Sequence, residues 1–150
     1  MVFPNNSKSG GERQEEGARS IKSPQPLTRF FLIAAAIGLF PIALSYGAAP
    51  QMSLTVMFGF ENLVLDHLHI FRAIMGLYFA MLIFWLAGAF NTSVTIPALW
   101  TLIVFMWGLA AGRLLSMVLD GIPSFLLMVY LLLEIAFGLI AVMLVTKEEG

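Results

Sequence analysis

Three ionisable residues, Arg72, Arg113 and Glu134, stand inside long apolar runs of this chain. A charge at the centre of a membrane costs about 2.5–3.5 kcal/mol on insertion scales, so each needs a partner or a wet cavity and is a candidate for binding or proton chemistry. At a rise of about 1.5 Å per residue, Arg72 lies about 5 Å inside the outer end of its run and Arg113 about 7–8 Å inside the outer end of its own. Glu134 lies roughly 17 Å down, near the midplane. Cβ atoms tilt toward a helix N-terminus, so Arg113 on an outward-running helix and Glu134 on an inward-running one lean toward each other. They are expected to pair. Arg72, on another inward-running helix, leans outward, toward Asp120, Glu61 or Asp66 at the rim. Arg113, Ser116 and Asp120 share one helix face, and His69, Arg72 and Gly76 share another that is expected to turn into the bundle. The candidate polar cluster is therefore Glu61, Asp66, His69, Arg72, Arg113, Ser116, Asp120 and Glu134. Such a cluster has two readings. It lines a ligand, proton or substrate site, or it only holds the helices in register, since breaking a buried pair costs about 3–5 kcal/mol.

Other chemistries find no residues to carry them. The chain has no cysteine, which removes thiolate catalysis, disulfides and cysteine–zinc sites. His67 and His69 are two apart, so they do not share a helix face, and the spacing is not that of a zinc site. No histidine pair at matching depth suits a haem. The net charge of −1 gives no basic field for nucleic acid. No catalytic residue, metal ligand or cofactor is assigned, and the pattern points away from an enzyme.

The elements that hold these residues follow from composition. Of 150 residues, 59% are hydrophobic and 11% charged, against about half and a quarter in a soluble domain. The mean hydropathy is +0.90. The excess falls in four blocks, near 27–47, 69–90, 96–118 and 124–145, each close to the roughly 20 residues that cross a bilayer core as helix. The expected fold is all-α: a four-helix transmembrane bundle with a short interfacial segment, 48–68, between helices 1 and 2. Residues 1–26 are polar and rich in Ser, Gly and Pro and read as a disordered tail, 27–146 as the transmembrane domain and 147–150 as a short C-terminus. The first block reads as an uncleaved helix rather than a signal peptide, because Pro50 follows the only small-residue site. Pro41 is expected to kink it. Gly76 and Ala80 form a small-residue strip on the second block, and Gly108 and Gly112 form a G-x-x-x-G on the third, both suited to close helix packing. Asn91-Thr92-Ser93 and Asp120-Gly121-Ile122-Pro123 are short turns. Lys8, Arg13, Arg19, Lys22, Arg29 and Lys147 fall on one side and no Lys or Arg falls in the two opposite loops, which puts both termini in the cytoplasm. The sequons at Asn5 and Asn91 lie on that same side and are discounted.

The run His69-Ile-Phe-Arg72-Ala-Ile-Met-Gly76-Leu-Tyr78 resembles a family of small bacterial four-helix membrane proteins catalogued only as a domain of unknown function. Phe58-Gly59-Phe60, Gly112-Arg113, Ser116, Asp120-Gly121-Ile122-Pro123 and Glu134 fit the same pattern, over about residues 27–146. More distantly the chain resembles DoxX-type four-helix proteins, which also carry charged residues within their helices. The resemblance implies a multi-pass protein of the bacterial cytoplasmic membrane and supplies no activity. Two function classes remain. One is a non-enzymatic accessory or scaffold component, whose partners are the lipid bilayer and other membrane subunits or a second copy. The other is a small-molecule, quinone or proton-linked membrane protein, with Arg72, Arg113, Asp120 and Glu134 lining a polar cavity open to the outer face.

Overall fold

In a hydrocarbon core no water is present to bond the backbone, so an apolar stretch there must satisfy its own N–H and C=O groups. The computed structural model of the chain describes residues 24–149 and meets this demand with helices. Residues 1–23, which hold most of the expected tail, four of its basic residues and the Asn5 sequon, lie outside the described residues, as does Gly150. The elements are α1 (Pro26–Gly47), α2 (Pro50–Phe58), α3 (Leu65–Phe90), α4 (Thr92–Asp120) and α5 (Phe125–Glu149). All but α2 are long and apolar enough to cross a membrane. Over the described residues the chain is thus all-helical, a multi-pass membrane protein whose four long helices run alternately up and down.

Local chemistry sets the boundaries. Pro26 and Pro50 stand in the first turns of α1 and α2, where a missing N–H is no loss. Gly59, at φ +70°, ends α2 in the left-handed conformation, its N–H directed at the Leu54 and Thr55 carbonyls. The Asn91 side chain accepts from the Ser93 N–H at 3.1 Å and caps α4. That cap makes α4 start four residues before the expected Ile96 and leaves Asn91 alone as the turn. Likewise α3 starts at Leu65 rather than His69, its first turn closed by His67, whose Nδ1 accepts from the Val64 N–H at 3.4 Å.

The four long helices pack in chain order, α1 on α3, α3 on α4 and α4 on α5, with α2 lying against α1 and α3. The ring closes where α1 meets α5. That seam is light and is tied mainly at one end. Phe31 stacks on Phe137 at 5.5 Å. The Gln25 amide donates to the Lys147 carbonyl at 3.0 Å, so the first and last described helices start and finish side by side.

Packing is uneven along the bundle. Buried residues run from Tyr78 to Ala89 on α3, from Thr95 to Ala110 on α4 and from Leu131 to Val145 on α5. They fill the half that contains the α3–α4 turn and the two described chain ends. Here small residues allow close approach: a Cβ on Gly88 would collide with the Cβ of Ala98, and one on Gly138 would collide with the Trp107 indole. The Thr95 hydroxyl donates across the hairpin to the Gly88 carbonyl at 2.8 Å. In the other half, which holds α2 and the α4–α5 turn, few residues are buried and the helices leave room between them.

The expected small-residue strips are not the ones used. Gly76 and Ala80 are exposed, and Gly76, Gly108 and Gly112 would each carry a Cβ with nothing within 4 Å. Spacing alone identifies a smooth helix face; it does not say that a neighbour lies on it. Gly88→Ala and Gly138→Ala should therefore each cost about 1–3 kcal/mol by overpacking, seen as a lower melting temperature in mild detergent. Gly76→Ala should leave it unchanged or raise it, by up to about 1 kcal/mol from helix propensity.

Candidate functional site

Arg113 and Glu134 meet across the α4–α5 interface. The Arg113 Nε–H is shared between both carboxylate oxygens of Glu134, at 2.8 and 3.0 Å. This is a side-on pairing, not the fork-to-fork geometry that would engage the terminal nitrogens. Glu134 engages neither of those nitrogens, and they are absent from the polar atoms sealed inside without a partner. Glu134 is the more deeply buried member, its side chain 8% exposed against 19% for Arg113. The carboxylate thus sits behind, and the guanidinium presents its terminal edge.

That edge faces open space on two sides. A cavity of about 280 Å³ lies among the four long helices. Ala35, Gly38, Leu39 and Ile42 of α1 form one wall, Tyr130, Leu133, Glu134 and Phe137 of α5 another, and Tyr78, Met106, Leu109 and Arg113 the back. Its mouth is the α1–α5 seam, where mid-helix Gly38 and Leu133 are exposed, so it opens sideways toward lipid. The surface is almost wholly apolar except at Arg113, Glu134 and the two phenols. A second recess, of about 490 Å³, lies on the other side of Arg113, bounded by Tyr46, Phe71 and Ile74 and by Gly108, Gly112 and Ser116. Arg113, Leu109 and Tyr78 border both spaces and form the partition between them.

The chain has three tyrosines, and all three stand at this partition. Tyr46 and Tyr78 meet edge to face at 5.5 Å. The Arg113 guanidinium carbon lies 5.6 Å from the centre of the Tyr130 ring. The Tyr46 hydroxyl lies within reach of both the Tyr78 hydroxyl and the Arg113 guanidinium. The sequence reading passes over these residues, although the signal was there: the chain has 13 phenylalanines and only three tyrosines, and a phenol buried in a membrane wants a partner.

The other candidates go elsewhere. Ser116 donates to Asp120 at 2.8 Å, both exposed at the end of α4. Glu61, Asp66, His69 and Arg72 are all exposed. Arg113–Glu134 is the one ion pair among the described residues, so Arg72 meets none of Asp120, Glu61 and Asp66. It borders a small hollow at the α1–α2 joint, beside Pro50 and Met52. The expectation that His69, Arg72 and Gly76 turn into the bundle is overturned, and neither Arg72 nor Asp120 lines the cavity with Glu134. The reason is facing: Phe71, Ile74 and Tyr78 take the inward side of α3, which leaves Arg72 on its exposed side, whereas Arg113 is half-buried on the side of α4 that meets α5.

Two predictions follow from this contrast. Glu134→Leu strands a buried guanidinium and should destabilise the bundle by about 3–5 kcal/mol, whereas Arg113→Met with Glu134→Leu should recover most of that loss, both read as melting temperature in detergent. Arg72→Gln should shift stability by less than about 0.5 kcal/mol, as for a surface residue.

Comparison with known proteins now adds to the geometry. No curated protein and no solved structure matches the chain. A family described as "Domain of unknown function (DUF4345)" matches residues 27–145, a stretch that takes in all four long helices and every residue of the partition. The chain belongs to this family of unknown function.

Proposed function

We propose that this protein binds a lipophilic small molecule taken from the bilayer, in the lateral cavity between α1 and α5, with Arg113 and Glu134 as the polar anchor. The observation that carries this reading is the cavity itself: an apolar space with one polar end, where a guanidinium gives only its Nε–H to its carboxylate partner. Ligand sites are mostly apolar hollows with a few convergent polar groups, and intramembrane charges mark such sites. A pair that served only to hold the helices in register would be better enclosed, with no space left at the exposed edge of its arginine. In this reading the protein sits in a bacterial cytoplasmic membrane with both termini cytoplasmic, so the α2 half and the Arg113–Glu134 partition lie toward the outer face. The polar cluster reduces to Arg113 and Glu134 with the three tyrosines.

The accessory-subunit reading keeps one observation, the exposed Gly108 and Gly112 on α4, a smooth strip along the second recess that nothing in the bundle packs closely. One experiment separates the two. The full chain is purified in mild detergent and its bound small molecules and proteins are identified by mass spectrometry, beside Gly38→Phe, whose ring grows into open space at the cavity mouth. The expected outcome is a lipophile carried by the native protein and lost from Gly38→Phe, which should melt with the native protein once that protein has been stripped of the lipophile. A stoichiometric protein partner with no bound lipophile in either sample would overturn the proposal.

A further inference from the structure

The polar end of the cavity also specifies the head group it takes. We infer that the ligand is an uncharged, slender lipophile with a carbonyl oxygen as its polar head, held by the terminal nitrogens of Arg113 together with Tyr78 and Tyr130. This inference rests on the binding role proposed for the cavity and adds the chemistry of its occupant.

The first argument is the balance of donors and acceptors. A guanidinium has five N–H groups, and here Glu134 engages only Nε–H, while the Tyr46 hydroxyl approaches from the second recess and not from the cavity. Tyr78 and Tyr130 line the same cavity and bring one hydroxyl each. The strongest acceptor present, Glu134, is the deeper-lying partner and is turned to Nε. What the cavity shows its occupant is therefore mainly donors. A head group that brings acceptor oxygen satisfies them; an amine does not, and a plain hydrocarbon leaves them unmade in a medium where an unmade bond is costly.

The second argument is charge. Arg113 and Glu134 already cancel, and no other ionisable group with a full charge lines the cavity. A carboxylate or phosphate head would bring a net negative charge into hydrocarbon and compete with Glu134 for the same guanidinium. The desolvation of an extra ion is several kcal/mol even after relaxation. A carbonyl takes the same donors without that penalty.

The third argument is size and direction. At 280 Å³ the cavity is at the small end of the roughly 300–1,000 Å³ typical of ligand pockets. It admits a single chain or one ring, and a two-chain lipid or a large ring system does not fit. The mouth between Gly38 and Leu133 opens at mid-helix, so a tail longer than the cavity continues into the acyl chains of the bilayer.

The test uses the full chain in mild detergent and four probes with the same long alkyl tail: a methyl ketone, a carboxylate, an amine and the plain alkane. Ligand-induced shifts in melting temperature are titrated for each. The expected result is that the ketone stabilises the native protein at the lowest concentration. Tyr130→Phe and Tyr78→Phe, which keep the ring and lose one donor, should each weaken the ketone about three- to tenfold and leave the alkane unchanged. Arg113→Met with Glu134→Leu, which removes the anchor without stranding a charge, should bring the ketone down to the level of the alkane. Gly38→Phe should abolish binding of all four. If the carboxylate or the amine binds most tightly, or the alkane matches the ketone, the head-group assignment is overturned while the cavity remains a binding site. If no probe binds the native protein at any concentration and no lipophile copurifies, both are overturned.

Discussion

A charge placed in hydrocarbon constrains everything around it, and here the constraint is the Arg113–Glu134 pair. Neither residue can rotate to lipid, so α4 and α5 are locked in azimuth and in height relative to each other. The next contact along the same interface repeats the lock by shape: Trp107 stands six residues before Arg113, Gly138 four after Glu134, and the indole occupies the space a Cβ on Gly138 would need. An ion pair followed by a ring against a glycine fixes one register and excludes the slipped ones. Buried pairs are weak sources of stability compared with apolar replacements of the same volume. The pair is better understood as a device that specifies geometry, and the side-on use of Nε shows which geometry: the carboxylate steadies the guanidinium from behind and leaves its terminal edge to the cavity.

The uneven packing of the bundle is what gives that edge somewhere to point. In the half that carries the α3–α4 turn, alanines and glycines let helices close on one another, with Ala35 on α1, Ala89 on α3, Ala98 on α4 and Ala141 on α5 all essentially buried. Trp85 fills the space between, set edge to face against Phe105 at 5.7 Å. Toward α2 the small residues of α4 no longer meet partners, as Gly108 and Gly112 show, although Gly47 still sets the end of α1 close against Met75 of α3. The aromatic groups there, Tyr46 with Phe58, Phe60 and Phe71, form a loose stack rather than a filled core. One end of the bundle is thus a clamp and the other a splayed cup, and the ion pair stands where the two regimes meet.

Much of the fold was legible because hydropathy and helix length are coupled to bilayer thickness with little room for choice. The pairing of Arg113 with Glu134 was legible for a related reason: both sit deep, and the tilt of Cβ with strand of travel decides which charges lean together. Arg72 was misread in its facing rather than its depth: the inward side of α3 is taken by Phe71, Ile74 and Tyr78, so Arg72 turns away from the bundle and meets no carboxylate. The glycine motifs misled in another way, since small-residue spacing reports a smooth face and not the presence of a neighbour. The tyrosines were missed because each lies on a different helix among many phenylalanines, and their convergence on Arg113 is a property of the assembled bundle.

The seam between α1 and α5 ties these points together. α1 is bonded into the bundle mainly through α3, and its meeting with α5 is fastened at the clamped end by the Phe31–Phe137 stack and by Gln25 on Lys147. Beyond that fastening Gly38 and Leu133 border the cavity, with no hydrogen bond or ion pair between α1 and α5 among the described residues there. Gly38 offers no side chain to close the gap, so the seam stays open where the cavity meets it. The difference between the two intramembrane arginines follows. Arg72 stands on the outward side of α3 and meets no carboxylate among the described residues. Arg113 lies as far from the end of its own helix but turns inward to α5, so the bundle supplies Glu134 for its Nε–H and seats its other donors at the cavity.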